Sequence, residues 1–370
     1  MSLQALSLGL YVHVPFCANS CAYCHFFKVQ PTDVSVKAYF RQIEREFRKW
    51  QERLQNRYVD TIFWGGGSPS CLSITQLENL ACLCRTLSLQ AKEWTVEVSP
   101  VTITFEKLQC LKRLGVTRIS MGVQSLNPHI LKQLGRRQTR KHIFKAYEWI
   151  RKAGFDNVNL DLIFPPNFSS FVLWQKDLEE IISLNPEHIS TYCLTYESDT
   201  GPFVPEAYQS VDRNREADFY EWTWNFLPQF GYQHYEVSNF AKAGFECKHN
   251  LNTWRMQEWI GIGPSAASQF HQQRFQNHFK IDVKGIQPFA SLETLNDLTL
   301  CKDCFIFGLR MCKGIDLKQL QKRFPKVDLT QFNPLWKYFK QQGWIEHQNS
   351  LLRCTPKGLL LADSLALEIL

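Results

Sequence analysis

The stretch YVHVPFCANSCAYC, residues 11–24, joins a predicted β-strand to a loop that carries three cysteines. β-Branched and aromatic residues with an alternating pattern predict a strand over Gly9–Val14. Cys17, Cys21 and Cys24 follow it with the spacing Cys-x3-Cys-x2-Cys. Because thiolates are preferred ligands of zinc and of iron–sulfur clusters, this spacing on a loop favours a metal centre over unliganded cysteines.

Two kinds of metal centre fit three closely spaced thiolates. A structural zinc ion needs a fourth protein ligand, and His13 or His25 is the nearest candidate in the sequence. A four-iron cluster held by three thiolates instead leaves one iron open to another ligand. The spacing alone favours the cluster and leaves zinc as the alternative.

From residue 8 to about residue 195, short β-branched or aromatic runs alternate with helical segments. This is the pattern of repeated βα units around a parallel sheet, and six units predict an incomplete (β/α)6 barrel in an α/β fold. The predicted strands are Gly9–Val14, Val59–Trp64, Trp94–Val98, Arg118–Val123, Val158–Ile163 and His188–Leu194. The predicted helices are Val34–Gln55, Ile74–Leu87, Phe105–Leu114, Arg140–Lys152 and Phe171–Leu184, with Ser73 and Thr104 as N-caps.

Glycine and polar residues follow these strands at the edge where ligands bind in parallel βα folds. The second strand leads into GGGSPS, residues 65–70, and glycine lets a backbone approach a ligand closely. Glu97, Gln124 and Asp161 lie at or near the ends of the next three strands, where a polar side chain needs a partner. Arg136 follows a short helix and can pair with a carboxylate. Singly, such residues more often make structural hydrogen bonds; together they predict a ligand site.

The sequence predicts three domains of different character. Residues 1–195 form the βα core, and residues 196–290 are an extension rich in aromatics, Asn, Gln and Gly. Residues 291–370 read as helices followed by a hairpin, which predicts a small winged-helix-like module. Cysteines 301, 304 and 312 of that module span two to three helical turns, too far for one tetrahedral zinc site, so we expect them in the core.

Composition excludes several classes of protein. Of 370 residues 44% are hydrophobic and 21% charged, which is typical of a globular chain and not of a disordered or fibrous one. The net charge of +7 is spread along the chain, so we expect no nucleic-acid partner. His, Pro, Asn and Cys interrupt the uncharged first 27 residues, so we expect neither a signal peptide nor a membrane segment, and a cytoplasmic location.

The residues around the cysteines resemble the radical S-adenosylmethionine (SAM) superfamily, specifically its coproporphyrinogen-related branch. The resemblance implies a 4Fe-4S cluster on Cys17, Cys21 and Cys24, with SAM bound at the open iron and cleaved reductively. In this family the glycine segment receives the methionyl group of SAM. By position, the residues implied in SAM binding are Tyr11, the backbone of Tyr23, Gly66, Gly67, Ser68, Glu97, Gln124, Arg136 and Asp161.

Within that branch the chain is more similar to the HemW-type heme chaperones than to the HemN-type coproporphyrinogen III dehydrogenases. The dehydrogenases carry a fourth cysteine where this chain has Phe26, and they begin with a substantial extension where this chain has ten residues before Tyr11. The resemblance therefore implies a protein that binds heme and passes it to an acceptor protein. The alternative is a dehydrogenase that decarboxylates propionate side chains by radical chemistry.

A second motif bears on heme. The segment CKHNLNTW, residues 247–254, is similar to the His-Asn-x-x-Tyr-Trp motif of those chaperones, with Thr253 at the tyrosine position. Imidazole and thiolate both ligate heme iron, so His249, or else Cys247, is the predicted heme ligand. The implied partners are heme or another tetrapyrrole, an unknown heme-acceptor protein and an electron donor for the cluster.

Overall fold

Six parallel strands lie side by side in chain order in the computed structural model, which describes residues 7–19, 21, 23–55, 57–88, 90–165, 169–194, 212–281 and 289–370. The strands are β1 (Leu8–Val14), β2 (Thr61–Gly66), β3 (Glu93–Val98), β4 (Arg118–Gln124), β5 (Val158–Phe164) and β6 (His188–Cys193). The helices between them are α1 (Asp33–Leu54), α2 (Ile74–Arg85), α3 (Phe105–Arg113), α4 (Pro128–Gln133), α5 (Arg140–Lys152) and α6 (Phe171–Ser183). The order and type of these elements confirm the predicted βα core.

Side-chain caps fix where the helices of the core begin. Helix α2 starts after Ser73, whose hydroxyl accepts a hydrogen bond from the Gln76 N–H at 3.2 Å, while the Gln76 side chain accepts from the Ser73 N–H at 2.8 Å. Thr104 accepts from the Lys107 N–H at 3.3 Å in front of α3. Each bond satisfies an N–H that a helix start leaves unpaired, so both predicted N-caps are confirmed.

The region after β6 extends both edges of the sheet. Its elements are α7 (Arg213–Phe226), β7 (Gln233–Glu236), β8 (Asn239–Ala241), α8 (Lys248–Trp254), β9 (Glu258–Ile262), β10 (Ala267–Phe270), β11 (Gln273–Gln276) and β12 (Ser291–Thr294). Strand β8 pairs antiparallel with β6, and β9 pairs parallel with β1. Strands β1 to β12 therefore form one open sheet, which confirms an incomplete barrel. Strands of three to five residues are too short to show a period in the sequence.

The parallel strands bury two chemically different faces. Trp64 of β2 points towards the helices, where its indole N–H contacts the Cys84 sulfur at 3.3 Å. The concave face carries polar side chains that pair with one another. His188 Nδ1 lies 2.6 Å from Asn159 Oδ1, and His188 Nε2 lies 2.8 Å from the Tyr235 hydroxyl. Because these groups are removed from water, their hydrogen bonds make the polar interior tolerable.

The C-terminal region is mostly helical and packs on the sheet. Its elements are α9 (Asp297–Gly308), β13 (Ile315–Asp316), α10 (Leu317–Arg323), α11 (Asn333–Gln341), β14 (Ile345–Gln348), β15 (Leu351–Cys354), α12 (Pro356–Leu360) and α13 (Ala362–Ile369). Strands β14 and β15 form the predicted antiparallel hairpin. Cys301 and Cys304 are buried in the core, as predicted, whereas Cys312 lies beyond the end of α9 and is half-buried against that core.

The predicted domain limits do not all coincide with breaks in the fold. The limit between residues 195 and 196 lies outside the described residues. The limit between residues 290 and 291 precedes β12, which still pairs with β11 of the large sheet, and the helical region begins at Asp297. In the part of the chain that the structure describes, no helix combines the length and apolar character needed to cross a membrane.

Candidate cofactor-binding site

The three cysteines lie on the loop after β1, at the C-terminal edge of the parallel strands. Cys17, Cys21 and Cys24 all line one cavity of about 450 Å³. The loop is held at its base, where the Cys17 N–H donates to the Val29 carbonyl at 3.0 Å and the Val29 N–H donates to the Pro15 carbonyl at 2.8 Å. The loop therefore presents its thiols to the cavity from a fixed base.

The glycine segment lies directly against this cysteine loop. The Gly67 N–H donates to the Val14 carbonyl at 2.8 Å, and the Ser68 N–H donates to the Phe16 carbonyl at 2.8 Å. A Cβ atom at Gly67 would lie 2.7 Å from the Val14 oxygen and 2.8 Å from the Phe16 nitrogen. Gly66 has a φ of +98°, a region that favours glycine. The glycines are thus required by close backbone contact, and Gly66, Gly67 and Ser68 line the cavity.

Two carboxylates form the deep polar wall of the cavity. Glu97 Oε2 accepts a hydrogen bond from the Gly66 N–H at 3.2 Å. Asp161 accepts from Ser120 Oγ at 3.1 Å and from Asn159 Nδ2 at 2.8 Å. Burial, and then the charge of Asp161, raise the pKa of Glu97 to about 8, and burial also raises the pKa of Asp161. Two acidic groups that resist ionisation suit hydrogen bonding to a ligand's hydroxyl groups better than ion pairing.

Arg136 and Gln124 line the same cavity, and Gln124 ends the strand between those of Glu97 and Asp161. The Arg136 guanidinium donates from Nε and Nη2 to the Tyr23 hydroxyl, at 2.8 and 2.5 Å, and so ties the cysteine loop to the segment after α4. Gln124 has a φ of +69° and follows a register shift between β4 and β5. Its amide nitrogen would lie 2.8 Å from a Cβ at Gly122, so that glycine makes room for the Gln124 side chain.

Tyr11 and His13 lie together on β1, and Tyr11 is not among the residues that line the cavity. The Tyr11 hydroxyl is 3.1 Å from His13 Nδ1, and His13 Nε2 is 2.8 Å from the Phe27 carbonyl oxygen. Because Nε2 donates a hydrogen bond to that carbonyl and Nδ1 faces the Tyr11 hydroxyl, both His13 nitrogens are engaged and neither is left for zinc. Burial raises the pKa of the Tyr11 hydroxyl, and the nearby charges of Glu97 and Cys24 raise it further. Tyr11 therefore lies close enough to the site to be influenced by its charges.

The motif segment Cys247–Trp254 lies at the opposite end of the strands, away from this cavity. His249 Nδ1 is 2.9 Å from the hydroxyl of Thr61 at the start of β2, and its ring packs 5.3 Å from that of Phe63. The Glu93 carboxylate, at the start of β3, accepts the backbone N–H groups of Lys248 at 2.9 Å and His249 at 3.0 Å. The N-terminus of helix α8 is therefore capped by Glu93, at the N-terminal edge of the parallel strands.

These positions do not support the prediction that His249 or Cys247 ligates heme. His249 is 7% exposed and Cys247 is 0% exposed. Burial lowers the pKa of His249 to about 4, and burial with the neighbouring charge of Glu93 raises the pKa of the Cys247 thiol to about 12. Both side chains are neutral core groups, and in this conformation neither can reach a porphyrin.

Further residues of the cavity wall were not predicted from the sequence. They include Cys71, Ser120, Gln138, Tyr192 and Cys193. Tyr192 and Cys193 end the sixth strand, so the rule that ligands bind beyond strand ends, applied to that strand as to the others, would have found them. Gln138 gives no such signal, because its side chain reaches back to the carbonyl oxygens of Gly122 and Val123 at 3.1 and 2.6 Å.

Two family models match the chain. The model of the radical SAM superfamily matches residues 11–171, and that of the HemN C-terminal domain matches residues 298–361. The coproporphyrinogen III oxidase HemN of Escherichia coli has the same fold, with a TM-score of 0.83 and 24% identity over 99% of this chain and 90% of that one. The fold and the three-cysteine cavity together define a member of the radical SAM superfamily.

Curated relatives refine this assignment. The chain is 33% identical to a protein named heme chaperone HemW from Lactococcus lactis, over 85% of this chain and 84% of that protein. It is 31% identical to the heme chaperone HemW of Bacillus subtilis, over 95% of this chain and 96% of that protein. Within the superfamily the chain belongs to the HemW family.

Proposed function

We propose that this protein holds a 4Fe-4S cluster and SAM in the cavity of about 450 Å³ and acts as a heme chaperone. The observation that carries the proposal is that Cys17, Cys21 and Cys24 line the same cavity as the carboxyl groups of Glu97 and Asp161. Three thiols on one cavity suit a 4Fe-4S cluster with one open iron, and Cys17 lies close enough to Cys21 and Cys24 for their charges to raise its pKa.

The residues around the thiols fit SAM. Gly66 and Gly67 put no side chain between their backbone and the cavity, so the methionyl end of SAM can approach closely, and Arg136 supplies a guanidinium for its carboxylate. Glu97 and Asp161 line the same cavity, and their oxygens can accept hydrogen bonds from the ribose hydroxyl groups of SAM. When bound, the cluster and SAM supply the reductive cleavage chemistry of the superfamily, and an electron donor reduces the cluster. The role of the chain is to orient SAM and to exclude water.

The relatives named heme chaperone support heme as the cargo. At the position where the dehydrogenase branch carries a fourth cysteine, this chain presents Phe26, which lines the cavity mouth and is 62% exposed. An apolar ring there supplies no ligand and instead suits contact with a flat apolar molecule. Transfer of heme to an acceptor protein is therefore favoured over decarboxylation of a porphyrinogen.

The first experiment is anaerobic reconstitution of the wild type with iron and sulfide, beside two variants. Cys24→Ala should lose the cluster absorbance and most of the bound iron while keeping the fold, because its ligands lie on a loop. Cys82→Ala removes an exposed cysteine of α2 outside the cavity and should keep four irons. Four irons retained by Cys24→Ala would contradict the assigned ligands.

The second measurement separates chaperone from dehydrogenase. The reconstituted wild type is titrated with heme, and separately incubated with coproporphyrinogen III, SAM and a reductant. Stoichiometric heme binding without decarboxylation is the expected result. Decarboxylation would make the protein a dehydrogenase despite Phe26, and a lack of heme binding would refute the chaperone role.

A further inference from the structure

A chain of hydrogen-bonded side chains lies behind the wall of the cofactor cavity, on the concave face of the sheet. It begins at Asp161, which lines the cavity, and continues through Asn159, His188 and Tyr235, which are buried and are not among the residues that line it. Asn159 and Asp161 are two residues apart on β5 and so face the same side of the sheet, and Asn159 lies beside His188 of β6 in the strand register. Of these four side chains, only that of Asp161 can touch a molecule in the cavity.

The contacts of Asn159 fix the orientation of its amide group. Its nitrogen lies 2.8 Å from Asp161 Oδ1 and 2.8 Å from Ser120 Oγ. The single hydroxyl proton of Ser120 is donated to Asp161 Oδ2 at 3.1 Å, so the group that Ser120 meets on Asn159 must be a donor. The amide oxygen therefore faces the other way, where it lies 2.6 Å from His188 Nδ1 and 3.0 Å from Ser190 Oγ. Since the amide oxygen is an acceptor, His188 Nδ1 carries a proton.

The second nitrogen of His188 is an acceptor. Burial and the nearby charge of the buried Arg118 lower the pKa of His188 well below its ordinary value, so the ring is neutral and has one proton. That proton is on Nδ1, and Nε2 accepts a hydrogen bond from the Tyr235 hydroxyl at 2.8 Å. The Tyr235 oxygen in turn accepts from the Cys247 N–H at 3.4 Å. Each group of the chain thus donates to the next one in the direction of Asp161.

The chain leaves Asp161 as an acceptor with a fixed orientation. One of its oxygens accepts from Asn159 and the other from Ser120, so the carboxyl group cannot rotate without breaking both bonds. The lone pairs that remain on its oxygens can accept a hydrogen bond from a donor in the cavity. A ribose hydroxyl is such a donor, and a site built to bind a hydroxyl group rejects an analogue that lacks it.

We propose that His188 is a positioning residue for SAM. Tyr235 holds the proton of His188 on Nδ1. His188 orients the amide of Asn159, and that amide fixes Asp161 to accept a hydrogen bond from a ribose hydroxyl group of SAM. The inference rests on the proposed cofactor site and adds residues that act on SAM without contacting it.

The test measures anaerobic equilibrium binding of SAM, and of its analogue with 2′,3′-dideoxyribose, to the reconstituted protein. The wild type should bind SAM roughly tenfold or more tightly than the analogue, because the analogue leaves the acceptor unpaired. His188→Leu removes both ring nitrogens, and the preference for SAM should fall by about fivefold while the affinity for the analogue stays the same. A merely structural role would weaken the binding of both ligands alike.

Two amide replacements separate the two ring nitrogens. In His188→Asn the amide nitrogen can take the place of Nδ1 and donate to Asn159. In His188→Gln the longer side chain brings its amide near the position of Nε2 instead. We expect His188→Asn to restore most of the wild-type preference for SAM and His188→Gln to behave like His188→Leu.

Two further variants complete the experiment. Tyr235→Phe keeps the packing of the ring and removes only the hydroxyl that holds the tautomer, so its preference for SAM should also fall, and it tests the chain even if the His188 variants do not fold. His347→Leu removes an exposed imidazole from β14 and should keep the wild-type preference. A wild-type preference in either His188→Leu or Tyr235→Phe would overturn the positioning role and leave the cofactor site intact. A wild type that does not bind SAM would refute the proposed cofactor site itself.

Discussion

Burial raises the pKa of Glu97 and so changes which hydrogen bonds this side chain can make in the cavity. It is held between the Gly66 N–H and the charge of Asp161, and it has no basic partner within hydrogen-bonding distance among the described contacts. A carboxyl group in this position stays protonated at a pH where a solvent-exposed one is ionised. It can then donate a hydrogen bond as well as accept one.

The pKa of Glu97 predicts a pH dependence of stability. The group titrates at about 8 in the folded protein and near 4.3, the ordinary value for a glutamate, when unfolded. The folded state therefore holds the proton over a range in which the unfolded state has lost it. Glu97 therefore contributes stability to the folded protein. This contribution is complete below the pKa of Glu97 in the unfolded chain, and it is lost as pH rises through the pKa of Glu97 in the folded protein. In Glu97→Gln the free energy of unfolding should fall less steeply with pH over this window.

Urea denaturation without SAM at several pH values measures this difference. The control is Glu52→Gln, which removes an exposed carboxylate from α1 and should leave the wild-type slope unchanged. Parallel pH profiles for the wild type and Glu97→Gln would contradict a raised pKa at this residue.

Helix α8 illustrates how one element can serve the structure although its sequence suggests a ligand. Its first turn is capped by Glu93, and Cys247 lies in front of it with its thiol 3.5 Å from the same carboxylate. Arg118 is buried close by and is influenced by both groups. The motif segment therefore closes the end of the barrel opposite the cofactor cavity.

His249→Ala should thus act on stability and not on heme ligation. The variant loses the bond to Thr61 and the packing on Phe63, and we expect the free energy of unfolding to fall by about 2–4 kcal/mol. The Soret band of bound heme should keep its position. Lys248→Ala changes the neighbouring exposed residue and should stay within about 0.5 kcal/mol of the wild type. A shifted Soret band in His249→Ala would show that the histidine leaves the core to bind iron.

The C-terminal region and the large sheet share one hydrophobic core and are also joined by hydrogen bonds. The Cys312 N–H donates to the Tyr235 carbonyl at 3.0 Å, and Glu236 forms a β-bridge with Met311. Arg323 at the end of α10 reaches across to the turn before β9, where it donates to the carbonyl oxygens of Arg255, at 3.1 Å, and Met256. These hydrogen bonds fix the C-terminal region against the ends of β7 and α8.

Arg323→Ala should loosen that junction. The guanidinium satisfies two carbonyl groups, and we expect its removal to lower the free energy of unfolding by about 2–3 kcal/mol. Hydrogen exchange should show lost protection in α9 and α10 while the six parallel strands keep theirs. Lys322→Ala, at the neighbouring exposed position, serves as the control. Equal loss of protection in both regions would contradict a local junction.

Much of the molecule was predictable because its signals are local. The six parallel strands and the helices between them follow from hydrophobic periods within short windows, and the caps at Ser73 and Thr104 follow from single residues beside them. The C-terminal ends of neighbouring parallel strands lie at the same edge of the sheet. The sequence alone therefore predicts that Glu97, Gln124 and Asp161, which lie at three such ends, line one site.

The sequence by itself determined the cysteine spacing, the βα order and the edge of the sheet that carries the cavity. The tertiary structure decided the contacts between segments distant in the chain: Arg136 meets Tyr23 across 113 residues, and Thr61 meets His249 across 188. It also placed the short strands on both edges of the sheet and α8 at its opposite end. Such contacts depend on how whole elements pack, and neither periodicity nor spacing within a window carries that information.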